Sequence, residues 1–176
     1  SERQALSALG ASSAVVVTLG AFPPPGLATA TPDASGDTTL HVVHAIGLPN
    51  EVRAALDQLP LDAPVPFAQV ARGGQPVFLA SEAALRGYPH WGEAMIGAGA
   101  RSAAIVPVWA NGELRGVLGL SWPAPRVFDE DERAFVLTLG VMCAQAIMRA
   151  YLRAAEHAAR DAEHNAREEA ERANRS

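Results

Sequence analysis

The sequence has one cysteine, no lysine and no long hydrophobic run, and each shortage excludes a class of protein. Cys143 alone cannot form an internal disulfide or supply a zinc site. The longest apolar runs, 14–19 and 103–110, are far shorter than the roughly 20 residues that cross a bilayer. We therefore expect no disulfide framework, no structural zinc and no membrane span.

Basic charge is also scarce, and it is not clustered. The net charge is −5, and all 14 basic residues are arginines. From Arg149 onward arginines and acids balance, with six of each, so the negative excess lies in residues 1–148. Because no basic stripe forms, nucleic acid is excluded as an expected partner.

What the chain does contain is enough apolar material for a core. Hydrophobic residues make up 49% of 176 positions, which predicts one folded domain plus an extension. The first ten residues lack a basic segment followed by an apolar one, so no signal peptide is predicted. Without a signal peptide or a span we expect a cytoplasmic protein, and because the chain starts at Ser1 without Met, we expect it to be a fragment of a longer one.

Apolar periodicity and turn residues predict an α+β fold, with an antiparallel sheet and helices on both of its faces. Residues 21–36, rich in proline and glycine, are predicted as a loop. The predicted elements are a helix over 2–9, strands over 14–19 and 39–46, a helix over 51–59 capped by Asn50, a helix over 67–71 ending at Gly73 and Gly74, a short strand over 76–80, a helix over 81–86, a turn over 93–98, strands over 102–110 and 113–121, and a long final helix.

The last two strands carry the clearest local signal. Asn111 and Gly112 between two apolar runs favour a type I′ turn, because both central residues need positive φ. Pro107 inside the first strand predicts a bulge, an edge or a late start to the pairing. A two-residue turn would pair Trp109 with Leu114 and Ile105 with Leu118.

The final helix is predicted to begin after Asp129, with Glu132 at the capping-box position. Gly140 in its interior indicates close packing. Beyond Ile147 the apolar face narrows to one heptad-spaced stripe, which predicts a solvated helix with a partner. The stripe consists of Met148, Leu152, Ala155, Ala159, Ala162, Ala166 and Ala173.

This order of elements, with several short segments, resembles a GAF domain over roughly residues 4–152. The matching segments are 10–17, 70–77, 101–108, 112–120 and 128–132. The resemblance implies a sheet with two terminal helices on one face, which often build a homodimer, and a small-molecule pocket on the other. It divides the chain into a GAF-like sensory domain, 1–147, and a signalling helix, 148–176, that leads to a missing output domain.

Residues 167–176 resemble the linker before the phosphoacceptor helix of bacterial sensor histidine kinases. The parent is therefore expected to be such a kinase, and a PP2C-type phosphatase is the alternative output. A second alternative is a ligandless module that dimerises through its N- and C-terminal helices and acts as a spacer. No nucleophile–base arrangement or phosphate loop occurs, so the fragment is not expected to be an enzyme.

The resemblance also narrows the range of cofactors that this sequence is expected to bind. Bilin-binding members attach the pigment through a cysteine in the middle loops, and none exists here. The motif of cyclic-nucleotide-binding members fails at three positions. His90 is the one haem-ligand candidate, although a plain loop histidine explains it better. His41 and His44 are expected on opposite faces of one strand, where they cannot share a metal.

An aromatic set remains as the candidate pocket. In the GAF layout Phe78, Tyr88, Trp91 and Met95 would line one apolar cavity, suited to a flat, mostly uncharged ligand. Two alternatives stay open, a ligand pocket and a core filled by these side chains alone. The full candidate set is Phe78, Tyr88, His90, Trp91, Met95 and Trp109.

Overall fold

One antiparallel sheet organises the fold in the computed structural model, which describes residues 2–19, 39–110 and 112–175. Within those ranges the sheet has six strands in the order β3-β2-β1-β6-β5-β4. The strands are β1 (Ser13–Leu19), β2 (Thr39–Ile46), β3 (Leu59–Pro60), β4 (Val77–Leu79), β5 (Ser102–Ala110) and β6 (Glu113–Trp122). This confirms the predicted α+β, GAF-like architecture.

Helices cover both faces of the sheet. The helices are α1 (Glu2–Ala8), α2 (Asn50–Leu56), α3 (Pro66–Gly73), α4 (Glu82–Leu85), α5 (Trp91–Gly97) and α6 (Glu130–Asn174). Buried residues of α2 to α5 form one core with the face that we call the roof face. Residues of α1 and α6 form a second core with the opposite, or back, face.

Strand β5 belongs to both cores, because alternate residues of a strand point to opposite faces. Ala103 and Ile105 enter the roof core, while Ala104 and Val106 enter the back core. All four side chains are at most 1% exposed. The strand is therefore a direct physical link between the roof helices and helix α6.

Helix α2 departs from prediction at both ends. It starts at Asn50 instead of being capped by it, and no side chain caps it. The cap is Pro49, whose ring fixes φ at −58° and whose carbonyl accepts the Arg53 N–H at 3.1 Å. The helix ends at Leu56, since Gln58 takes a φ of +58° and the following residues form the short strand β3.

The β5–β6 hairpin forms as predicted, but its register changes along the strands. Trp109 pairs with Leu114, as expected. Ile105 pairs with Gly119 and not with Leu118, so that part of the prediction is wrong. The reason is a register shift between Val108 and Trp109, one step beyond the proline that predicted a bulge. Asn111 lies outside the described residues.

A bulge in β2 overturns the expectation for the two strand histidines. Val17 pairs with Val42 and Val16 with His44, so Val43 is an extra residue. The insertion brings His41 and His44 to the same face of the sheet. Asp57 contacts β2 beside the bulge. Its Oδ1 accepts the Val42 N–H at 3.2 Å and lies 3.8 Å from His41 Nδ1.

Helix α6 begins as predicted. Asp129 Oδ1 accepts the Glu132 N–H at 2.8 Å, which is an N-cap hydrogen bond. Gly140 confirms close packing, since a Cβ there would lie 3.3 Å from the Pro107 carbonyl oxygen and 3.3 Å from Val106 Cγ2. The helix runs unbroken for 45 residues along β5 and out past the sheet.

Candidate functional site

A small cavity lies between the roof face of the sheet and the helices above it. Its volume is about 10 Å³, which is barely the space of one water molecule. The lining is almost entirely apolar and contains no charged side chain among the described residues. It consists of Ser13, Val15, Leu48, Leu56, Phe67, Trp91, Met95, Ala103, Ile105, Gly119 and Leu120.

Aromatic side chains fill most of the space that a larger cavity would occupy. Phe67 of α3 lies directly over Gly119, where a Cβ would overlap its ring. The Phe67 and Trp91 rings pack edge to face with centroids 6.2 Å apart. The Tyr88 ring also packs edge to face with Trp91, with centroids 6.0 Å apart. The roof core is therefore close to filled by its own side chains.

The structure brings together two of the six candidate residues. Trp91 and Met95, one turn apart on α5, both line the cavity. Tyr88 lies behind Trp91, and its hydroxyl donates a hydrogen bond to Gln69 Oε1 at 2.7 Å. Burial raises the pKa of the Tyr88 hydroxyl, while this hydrogen bond acts in the opposite direction. Tyr88 therefore supports the cavity without lining it.

His90 is exposed and forms no wall of the cavity. Its φ of +66° and ψ of −61° place it at the centre of a γ-turn, in which the Trp91 N–H donates to the Pro89 carbonyl at 2.8 Å. This positive-φ γ-turn is rare and strained for a residue with a side chain. Its effect is to begin helix α5 at Trp91.

Phe78 and Trp109 lie elsewhere. Phe78 points to the back face, because its neighbours Val77 and Leu79 on β4 take the roof side. Trp109 is on the roof side but is 48% exposed at the hairpin end, where its ring covers Gly74. Neither residue lines the cavity that Trp91 and Met95 share.

Several lining residues were absent from the sequence-based set. Val15 and Ile105 face the roof through strand alternation, which the sequence signals but cannot assign to one face. The sequence pattern indicated Phe67 only as the first residue of the short helix predicted over 67–71, with no sign of a role in the cavity. Its pairing with Gly119 had no sequence signal, since the two residues are remote in the chain.

The described part of the chain presents no metal site. Among the described residues, no group of three or more His, Cys, Asp or Glu side chains is placed to hold an ion. His41 Nε2 is engaged with Thr39 Oγ1 at 2.9 Å. Cys143 is partly buried on α6, and burial raises the pKa of its thiol, which is the opposite of what a reactive cysteine needs.

A stack of three aromatic rings with an arginine at each end joins the start of α6 to the sheet. Trp122 lies 5.6 Å from Phe128, and Phe128 lies 5.2 Å from Phe78, between ring centroids. Arg126 covers the Trp122 ring at 4.6 Å, and Arg133 covers the Phe78 ring at 4.8 Å. We call this set the arginine–aromatic stack.

Helix α6 leaves two apolar rows uncovered. The first row holds Leu137, Val141, Met148 and Leu152, and its members Val141 and Leu152 are 55% and 54% exposed. Phe135 and Met142 form the second row at a spacing of two turns. Exposed apolar rows of this kind are typical of surfaces that bind a partner.

By length and composition, α6 is also apolar enough to cross a membrane. An 18-residue stretch has a mean hydropathy of 1.6, and 19% of it is buried. The sequence-based expectation of no span considered only uninterrupted apolar runs, so it missed this amphipathic stretch. The same helix packs along β5, however, and its Gly140 approaches Pro107.

Comparisons with known proteins agree with this architecture. A sequence model of the GAF domain family matches residues 5–148. No curated protein matches the chain. Since the family match covers most of the chain, it establishes the family independently of any single relative.

Solved structures of low sequence identity share the fold. A domain of a candidate two-component sensor histidine kinase from Sinorhizobium meliloti is 19% identical, with a TM-score of 0.60 over 88% of this chain and 91% of that one. The GAF domain of a phosphoenolpyruvate-protein phosphotransferase from Coxiella burnetii is 22% identical, with a TM-score of 0.60 over 87% and 81%.

A third solved structure is the GAF domain region of a candidate membrane protein from Geobacter sulfurreducens. It is 19% identical, with a TM-score of 0.61 over 83% of this chain and 87% of that one. The fold, its two helix-covered faces and the family match all agree. The chain belongs to the GAF domain family, whose members are regulatory modules.

Proposed function

We propose that this GAF domain is a cytoplasmic, non-enzymatic regulatory module of a bacterial signal-transduction protein, and that the protein is a sensor histidine kinase. Residues 1–147 would sense or receive the signal, and residues 148–176 would carry it to the output domain. The observation that carries the proposal is helix α6, one unbroken helix of 45 residues. Its first half packs on the sheet, and its second half is exposed.

The proposed route runs through neighbouring residues of β5. Ile105 lines the roof cavity, and the next residue, Val106, faces the back core where α6 crosses at Gly140. A change in roof packing that moves Ile105 would therefore press on α6 at that crossing. Packed interiors transmit such shifts because they have little free volume.

The arginine–aromatic stack would hold the start of α6 while its far end moves. Phe128 sits between Trp122 and Phe78, so the stack ties the helix start to β6 and β4 together. A helix that is fixed at its start and pressed at Gly140, in its first third, tilts at the other end. A signal would act by favouring one of two tilts, to the extent that it binds one more tightly.

We propose that the protein works as a homodimer, with α6 of a second copy covering the first apolar row and α1 packed nearby. The row continues past the sheet at alternating spacings of three and four through Leu152, Ala155 and Ala159. The other sides of this helix carry exposed ion pairs such as Glu163–Arg167, at 2.8 Å, which favour contact with water. Lipid is a poorer cover, because a helix packed along a soluble sheet cannot also cross a bilayer.

Sedimentation velocity tests the homodimer. We expect the wild-type fragment to sediment as a dimer and Leu152→Glu to sediment as a monomer at the same concentration, since the charge would be buried between two helices. His157→Glu, on another side of the same exposed helix, is the matched control and should stay dimeric. A monomeric wild type would overturn the homodimer, as would a Leu152→Glu dimer of unchanged affinity.

One observation favours the alternative of a ligandless spacer. The roof cavity holds only about 10 Å³, so its resting form has no room for a small molecule. In that case the domain would hold two output domains in register and receive its signal from another domain. The output alternative, a PP2C-type phosphatase, would use the same helix and the same dimer.

A further inference from the structure

We infer that Glu169 is a charged break in the contact between two α6 helices, and that it keeps the last turns of the two helices separable. The inference rests on the proposed homodimer and specifies where its signalling helix can change arrangement. It starts from the heptad-spaced stripe between Met148 and Ala173, which we call the seam. Glu169 occupies a seam position, three residues after Ala166 and four before Ala173.

Glu169 is exposed, and its carboxylate forms no ion pair within the described parts of the chain. Six acids lie beyond Arg149, and three of them are paired along the helix. The pairs are Glu163 with Arg167 at 2.8 Å, Glu168 with Arg172 at 3.6 Å and Glu171 with Arg175 at 3.9 Å. The unpaired acids are Glu156, Asp161 and Glu169, and Glu169 is the one that lies in the seam.

The helix itself supplies no cation to offset this charge. Four residues before and after Glu169 lie Asn165 and Ala173, so neither i,i+4 position holds a basic side chain. Arg172, three residues on, is engaged with Glu168. The Glu169 carboxylate therefore enters any helix–helix contact as an uncompensated negative charge.

A second copy of the same helix would not supply a cation either. In a parallel pair of helices, each seam residue faces its own copy, and the proposed relay requires that arrangement because it places both output domains at the same end. Two Glu169 carboxylates would then face each other. The residues around them are Ala166, Ala170 and Ala173, which carry no charge. Like charges at short range repel, so this layer opposes pairing.

The rest of the seam is weak enough for one layer to matter. Beyond Leu152 its residues as far as Ala166 are all alanines, which bury little apolar area. Paired and separated forms of the last turns therefore lie close in free energy, and a tilt of α6 needs little energy to favour one of them. We expect the two helices to be paired as far as Ala166 and separated beyond it.

Disulfide cross-linking on both sides of Glu169 tests this inference. In a Cys143→Ala background, Ala166→Cys and Ala173→Cys each place one thiol in the seam, before and after the charge. Both proteins are oxidised under the same mild conditions. We expect cross-linking at position 173 to be about tenfold slower than at position 166, because the facing carboxylates hold the last turns apart.

Two matched variants separate the charge from its position. Glu169→Gln keeps the size of the side chain, and it should accelerate cross-linking at position 173 about tenfold while leaving position 166 unchanged. Asp161→Asn removes another unpaired acid from the same helix but outside the seam, and it should change neither rate. Raising NaCl from about 0.05 to about 0.5 M should also accelerate position 173 unless Glu169→Gln is present, since salt screens exposed charges.

Slow cross-linking at position 173 that Glu169→Gln leaves unchanged would overturn the inference, since the charge would not be its cause. An equal acceleration by Asp161→Asn would overturn it as well, because net charge would then matter and the seam position would not. Rapid cross-linking at position 166 in those cases leaves the homodimer standing. No cross-linking at position 166 in any of the proteins would instead overturn the homodimer, and this inference with it.

Discussion

The guanidinium of Arg126 lies 4.6 Å above the Trp122 ring, and this stacking places the arginine where it also binds Glu132 at the start of α6. The ion pair is two-pronged, with N–O distances of 2.6 and 3.1 Å. One side chain therefore joins the end of β6 to the first turn of the signalling helix.

Removing this side chain should loosen that joint. We expect Arg126→Ala to lower the free energy of unfolding by about 1–2 kcal/mol, because it loses a partly buried ion pair and a cation–π contact. Arg115→Ala is the matched control, since its pair with Glu113 is exposed, and it should change stability by less than about 0.5 kcal/mol. Urea unfolding measures both, and equal losses would contradict the role of the stack.

Gly140 gives a test of the helix crossing. A leucine there would push α6 off Pro107 and Val106, so Gly140→Leu should destabilise the domain by about 2 kcal/mol or more. Gly97, at the end of α5, has open space where a Cβ would be added. Gly97→Ala should therefore be neutral or slightly stabilising. A Gly140→Leu protein as stable as wild type would show that the crossing is loose.

The γ-turn at His90 predicts a stabilising mutation in the roof. Glycine adopts positive φ without steric penalty, so His90→Gly should stabilise the domain by about 0.5–1 kcal/mol. Ala94→Gly, on the exposed side of α5, is the control and should destabilise it by about 1 kcal/mol. Thermal unfolding of the two variants distinguishes them, and the same sign for both would refute the strained turn.

Burial of Cys143 predicts how stability changes at high pH. Because its thiol pKa is raised in the folded state, the unfolded chain loses this proton first, and the Tyr88 hydroxyl behaves in the same way. The contribution of both groups is complete at neutral pH and declines from about pH 8.5 upward, through the raised folded pKa of each. Urea unfolding at pH 7.5, 9 and 10 should show this decline.

Cys143→Ala is the control for the pH series. The variant should lose the early part of the decline, which begins near the thiol pKa of the unfolded chain, and keep the later part that Tyr88 causes. A decline of identical slope in the variant would show that the thiol does not contribute. The comparison concerns the slope with pH, so any change in overall stability leaves it interpretable.

Local signals in the sequence predicted local structure well. The pairing of Trp109 with Leu114 and the Asp129 cap depend on residues within one turn, and both are confirmed. The shift that pairs Ile105 with Gly119 depends on a bulge, whose position tertiary packing decides. The bulge at Val43 moved the two strand histidines to one face for the same reason.

The candidate site shows the same division. Trp91 and Met95 were expected at the pocket from the family resemblance, and the structure places both at the cavity, one turn apart on a helix that begins earlier than the turn predicted over 93–98. Phe78 is one of three residues in a short strand, where alternation allows either face, and packing against Phe128 selects the back. The contact between Arg133 and Phe78 joins distant parts of the chain, so no local pattern predicts it.

The most direct test of the relay is disulfide cross-linking of α6 between two copies. In a Cys143→Ala background, Ala159→Cys places a thiol in the proposed helix seam, and His157→Cys places an equally exposed thiol on another side of the same helix. Under mild oxidation, we predict rapid and nearly complete dimer cross-linking at position 159 and little at position 157. Equal slow cross-linking at both positions, or faster cross-linking at 157, would contradict a signalling helix that pairs along this seam.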